Sequence, residues 1–136
     1  MNEILVGVDR SDRARAAAER AATIAAGVDA TLHVIMCVDK EGAGVSSSDG
    51  TLPAKAAENK QFLEQLCAEL PHQRVTNSVA SGDPASVLCD EATRLSAQMI
   101  VVGNRRVQGV ASALGSVARD VTKHAPCDVL IANTNG

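Results

Sequence analysis

Residues 3–27, EILVGVDRSDRARAAAERAATIAAG, set the pattern that the rest of the chain repeats. Glu3-Ile4-Leu5-Val6-Gly7-Val8-Asp9 is a short β-branched apolar run closed by a carboxylate, the pattern of a strand covered on both faces. Ser11 is placed to cap the helix that follows, and Asp12 sits in its first turn, where the helix dipole favours an acid. Ala14, Ala17, Ala18, Ala21, Ala22 and Ala25 then recur at i, i+3, i+4, i+7. A face made of alanines lets a helix lie close to whatever it covers. Gly27 supplies the expected stop.

The same alternation continues. Residues 30–38 read as a second strand, and residues 39–51, rich in Gly and Ser, as a mobile surface loop, most simply a tolerated insertion. A helix is expected from near Pro53 to Leu70, with Phe62, Leu63, Leu66, Cys67 and Leu70 on one side and Pro71 ending it. Residues 74–80 form a third, more polar strand, as expected near a sheet edge. Gly82-Asp83-Pro84 combines a turn, a cap and a proline suited to the first helical position. The helix it opens carries Val87, Leu88, Glu91, Ala92 and Leu95 and runs to about Ala97. Residues 98–103 are almost entirely apolar, hence a central fourth strand. A flexible segment to Leu114 precedes Gly115-Ser116 and a fourth helix, which ends near His124 before Pro126. Residues 128–132 make the last strand, and the tail is polar. Five strands separated by four helices imply parallel neighbours, right-handed crossovers and a three-layer α/β fold with helices on both faces of an open twisted sheet. The pattern alone leaves strand order open.

At 136 residues the chain has the size of one domain, read as 1–136. A net charge of -3 argues against a chain that coats nucleic acid or an anionic membrane. Phe62 is the single aromatic residue, which excludes a binding surface built of stacking platforms. Apolar runs such as 99–103 fall far short of the roughly 20 residues that span a bilayer. The opening Met1-Asn2-Glu3 lacks a basic region, so no signal peptide is expected. Cys37, Cys67, Cys89 and Cys127 lie far apart in apolar segments and read as small buried hydrophobes of a reducing cytoplasm. His33, His72 and His124 show no metal-ligand spacing.

In open parallel sheets, ligands bind beyond the C-terminal ends of the strands, where strand order reverses. Two stretches qualify: Gly7-Val8-Asp9-Arg10-Ser11, and Val101-Val102-Gly103-Asn104-Arg105-Arg106 with the later Gly115-Ser116. Gly115-Ser116 opens a helix, whose N–H groups and dipole hold anions. Arg105 and Arg106 supply charge suited to phosphate oxygens, and Gly103 lets backbone approach a ligand. A glycine turn, a solvated arginine pair and a serine N-cap would account for the same residues without a ligand. GxxxxGK[ST] is absent, no GxGxxG follows the first strand, and no GxSxG elbow occurs. Gly42-Ala43-Gly44 lies in the polar loop and lacks the context of a dinucleotide fingerprint.

Five fragments, in order and on the expected elements, resemble the universal stress protein family in its UspA-like, nucleotide-binding type. They are the 4–9 strand with Ser11, Gly82-Asp83-Pro84, Val101-Val102-Gly103-Asn104-Arg105, Gly115-Ser116-Val117, and His124-Ala125-Pro126-Cys127. The likeness covers nearly the whole chain. It implies a sheet ordered 3-2-1-4-5 of the adenine nucleotide alpha hydrolase-like kind, with ATP or another adenine nucleotide as ligand, and a homodimer. Gly7, Val8 and Asp9 would then face the adenine or ribose, and Cys37 or Val38 would touch the adenine. Val102, Gly103 and Asn104 would back the ribose and phosphates, with Arg105, Gly115, Ser116 and Val117 around the phosphate chain. The family's G-x2-G-x9-G-[S/T] pattern is altered here: Arg106 replaces the second glycine, and eight residues separate it from Gly115. Arg106 either adds a phosphate contact or closes the triphosphate site, and Gly109 restores flexibility in another register.

No catalytic set is legible. Asp9 and Asp12 are the acids near the first strand's end, where they would hold Mg²⁺ with the phosphates. The reading is a cytoplasmic nucleotide-binding regulator whose occupancy changes the 104–114 segment and so a surface for an unknown regulated protein. It involves neither nucleic acid nor membrane insertion. A slow ATPase or autophosphorylating protein with Ser116 as acceptor, and a nucleotide-free dimeric adaptor, are the alternatives. An edge strand carrying Val129, Leu130 and Ile131 would invite aggregation unless paired, so a homodimer through it is expected.

Overall fold

A computed structural model describes residues 2–38, 54–104 and 115–134. In chain order they form β1 (Glu3–Val8), α1 (Asp12–Gly27), β2 (Thr31–Val38), α2 (Ala54–Ala68), β3 (Val75–Ser81), α3 (Pro84–Leu95), β4 (Met99–Asn104), α4 (Ser116–His124) and β5 (Asp128–Asn133). The five strands make one parallel sheet ordered β3-β2-β1-β4-β5. β1 and β4 meet at its centre, and the polar β3 lies on an edge as its composition predicts. Alternation along the strands divides the apolar side chains between two layers. Ile4, Val6 and Val8 of β1 face the layer of α1 and α2, together with Leu32, Val34, Met36 and Val101. Leu5, Ile35, Ile100 and Val102 face α3 and α4, packing on Leu88, Ala92, Ala118 and Val121.

α1 is built as its alanine pattern requires. Ala14, Ala17, Ala18, Ala21, Ala22 and Ala25 are all buried against the sheet. The Ser11 side chain accepts a hydrogen bond from the Ala14 N–H at 3.1 Å, fixing the start of the helix. The helix stops where the sequence places the stop. Gly27 is the last helical residue, and the left-handed conformation falls two residues later on Asp29, at φ 58°. An aspartate tolerates that region because its short polar side chain bonds locally. Here the Asp29 carboxylate accepts from the Arg74 guanidinium just before β3, which anchors the turn across the sheet.

α3 opens on the motif read from sequence: the Asp83 side chain accepts from the Ser86 N–H at 3.0 Å, with Pro84 in the first turn. Gly82 is required before it, since its φ of +134° is disfavoured for any residue with a Cβ. The helix ends on Ser96 in the left-handed region at φ 52°, a stop that no glycine announced. The 39–51 loop expectation and Pro53 lie outside the described residues. Asn59 is the one buried polar residue among those described, and its Oδ1 accepts from Arg10 Nε at 3.0 Å. That guanidinium also lies over the Phe62 ring, 5.7 Å from its centroid, so the turn after β1 is held to α2.

Candidate functional site

The β1–β2 ladder runs from Glu3 opposite Thr31 to Val8 opposite Met36, and β4–β5 continues to Asn104 opposite Asn133. Between the two central strands the ladder is shorter: it pairs Ile4 with Met99, Leu5 with Ile100 and Val6 with Val101, then stops. Beyond Val6 and Val101 a cleft of about 250 Å³ opens at the C-terminal edge of the sheet. This is the point where the strand order reverses, since the chain leaves β1 toward β2 on one side and β4 toward β5 on the other.

Gly7, Val8, Val102 and Gly103 line the cleft from the two strands. A Cβ on Gly7 would stand 2.8 Å from Leu88 Cδ1, so glycine here lets α3 press against the strand. A Cβ on Gly103 would meet Thr134 Cγ2 at 3.4 Å and Ala17 Cβ at 3.5 Å, ordinary van der Waals contacts, while the Gly103 backbone borders the cleft. Asp9 is exposed at the rim, and its Oδ1 accepts from the Ser11 N–H at 2.8 Å. Asn104 also lines the cleft, and its carbonyl accepts from Thr134 Oγ1 at 3.1 Å. The Asn104 Oδ1 is buried without a hydrogen-bond partner among the described residues.

Opposite stands the start of α4. Gly115, rather than Ser116, is its N-cap, and it offers no side-chain cap. The first N–H engaged by that cap's carbonyl is that of Arg119, at 3.0 Å. The N–H groups of Ser116, Val117 and Ala118 in the first turn therefore lack helical partners, and all three residues line the cleft. Such an end is suited to an anion. Arg105, Arg106 and Gly109 lie outside the described residues. Among the described residues no group of three or more His, Cys, Asp or Glu gathers as for a metal ion.

Cys37 and Val38 were alternatives for one wall. Cys37 lines the cleft and packs with the α3 side, whereas Val38 packs with the α1 and α2 layer, as a period of two demands. Cys89 is buried, but Cys37, Cys67 and Cys127 are only partly so, which corrects their reading as wholly interior. Burial, with the nearby Asp83 carboxylate adding to it, pushes the Cys37 thiol up to about 11; burial alone does the same for Cys67. The thiolate is the reactive form and exists above the pKa. At pH 8 about one molecule in a thousand carries it at these sites, against about a quarter for an ordinary cysteine. Iodoacetamide labelling of both is expected to be roughly two hundredfold slower than that of a free thiol at pH 8 and to climb until about pH 11. Mass-resolved labelling rates against pH check this.

Of the lining residues outside the sequence-predicted set, Arg13, Ala14, Pro84, Leu88 and Ala118, one is charged. Arg13, in the first turn of α1, lines the cavity beside Ser11 and Ala14. The signal was present: a cation in the first turn opposes the helix dipole and so calls for a reason.

A sequence profile described as the Universal stress protein family matches residues 1–133. The chain belongs to the universal stress protein family. Universal stress protein A homolog 1 of Coxiella burnetii is 29% identical over 136 residues, which cover 93% of this chain and 92% of that one. Among solved structures, a universal stress protein in complex with cAMP superposes with a TM-score of 0.76 at 26% identity, covering 98% of each chain. The universal stress protein of Archaeoglobus fulgidus in complex with dAMP gives a TM-score of 0.65 at 25% identity, again over 98% of each. Membership accounts for the strand order and for a cleft at the end of β1 and β4.

Proposed function

We propose that the chain is an adenine-nucleotide-binding regulatory protein of the stress response, acting as a homodimer in the cytoplasm. The observation that carries this reading is the cleft between β1 and β4, with an acid at one rim and the start of α4, without a side-chain cap among the described residues, at another. Base and ribose fit the aliphatic and backbone surfaces of Gly7, Val8, Val102 and Gly103, with Asp9 as acceptor for their hydroxyl or amino groups. The phosphates belong at Gly115, Ser116 and Val117, a helix start that favours negative charge. Relatives bound to cAMP and dAMP support the choice of adenine. Mg²⁺ would enter with the phosphates rather than as a resident ion. Occupancy is read out through the 104–114 segment to a partner protein.

Calorimetric titration of the whole chain with ATP, ADP, AMP and cAMP, with and without Mg²⁺, tests the reading. Saturable heat with at least one supports it. Absence of both heat and thermal shift with all of them would favour the nucleotide-free adaptor. A slow phosphotransfer activity has one observation in its favour, the exposed Ser116 hydroxyl at the open end of α4. Phosphate release abolished by both Ser116→Ala and Asp9→Ala would establish it.

The dimer rests on β5, which is an edge strand carrying Val129, Leu130 and Ile131, all only partly buried. Pairing with a second copy would satisfy its outer edge. Leu130→Lys is expected to yield monomer or aggregate. Light scattering that still reports an unchanged dimer mass would place the interface elsewhere.

A further inference from the structure

We propose that Arg13 reads the phosphate end of the ligand, so that the cleft selects nucleoside phosphates over nucleosides through α1 as well as α4. The inference rests on the nucleotide-binding reading above. Arg13 is half-buried and lines the same cavity as Gly115 and Ser116. Its guanidinium makes no hydrogen bond or ion pair among the described residues. Other arginines are engaged: Arg10 with Asn59 and Glu58, Arg15 with Glu69, Arg74 with Asp29, Arg94 with Glu91. Arg20 and Arg119 are also unengaged among the described residues, but they are exposed and do not line the cleft.

Local electrostatics does not account for a cation at this position. The start of α1 already has its cap in Ser11 and its acid in Asp12. A positive charge one residue further meets the positive end of the helix dipole. An anion in the cleft reverses that balance, because it takes charge-assisted hydrogen bonds from the guanidinium and from the open α4 N–H groups at once. A second group at the cavity marks the ligand's other end: the Asp9 carboxylate, an acceptor, is exposed at the rim. The cleft thus carries donors at Arg13 and α4 and an acceptor at Asp9. Such a surface fits a molecule that is anionic at one end and donor-bearing at the other.

The test is calorimetry of the whole chain with AMP and with adenosine, on wild type, Arg13→Ala and the control Arg20→Ala, together with melting temperatures. AMP should bind wild type and Arg20→Ala more tightly than adenosine does. Arg13→Ala should weaken AMP by at least about tenfold, leave adenosine unchanged, and melt at or above the wild-type temperature because the helix start loses an opposed charge. Equal AMP affinity in wild type and Arg13→Ala, or an equal loss for both ligands, overturns the assignment while the nucleotide reading stands. Binding of neither ligand to wild type defeats the nucleotide reading and this inference with it.

Discussion

Ala21→Leu is expected to lower the melting temperature by about 10 °C, whereas Ala16→Leu should leave it nearly unchanged. Both changes add the same three carbons to the same helix, and leucine is almost as good a helix former as alanine. Intrinsic propensity therefore cancels in the comparison. What differs is the space. Ala21 is wholly buried, in a cluster with Ile4, Val6, Val34 and Val101, while Ala16 faces solvent. A close-packed interior has no void for an isobutyl group, so α1 must lift from the sheet or its neighbours must leave their rotamers. Overpacking of this kind costs about 3 kcal/mol at its upper ordinary range, which corresponds to about 10 °C for a domain of this size. Lifting α1 would also displace Arg13 and the Asp9–Ser11 turn, so ligand affinity should fall with stability. Thermal denaturation of the two variants side by side settles the matter, and equal melting temperatures would contradict the close seating of α1.

Ser116→Glu should separate stability from binding. Ser116 is the exposed first residue of α4, where a carboxylate complements the dipole and adds about 0.3–1 kcal/mol to the helix. The same carboxylate occupies the region assigned to phosphate. Two like charges about 5 Å apart at an effective dielectric of about 20–40 repel by about 2–3 kcal/mol. Nucleotide affinity is thus expected to fall by about thirtyfold or more, while the melting temperature holds or rises. Phosphate-free adenosine should be far less affected. A variant that binds AMP as wild type does would remove the start of α4 from the site. The substitution also imitates the charge of phosphorylation, so it previews what modification of Ser116 would do.

Much of the architecture could be read from residues because local and global preferences agree. The alanines of α1, the Asp83-Pro84 start of α3 and the apolar run of β4 each behave as their spacing demands. The misses have physical causes. The left-handed residues that follow α1 and α3 are Asp29 and Ser96, positions where glycine is the usual occupant. Cys37 and Val38 could not be separated without knowing which helix layer covers which face, since a one-residue shift exchanges the faces. Arg13 is not marked by its place after a strand: a helix that starts at the sheet's edge also presents its first turn to the cleft.

The early stop of the β1–β4 ladder bears on how this pocket can drift over generations. Past Val6 and Val101 the two strands no longer bond to each other, so main-chain groups facing the gap are left available to a base. A preference written in peptide groups is inherited with the backbone path, whatever side chains decorate it. Substitution at Val8 or Val102 would then tune affinity without erasing base choice. Erasure would need the strands to close by another rung, which shifts a whole layer of core and so is out of reach of a single exchange. The chemistry that varies from one descendant to the next should concentrate instead at the phosphate end, where the proposed Arg13 contact is a side chain that a single codon can replace.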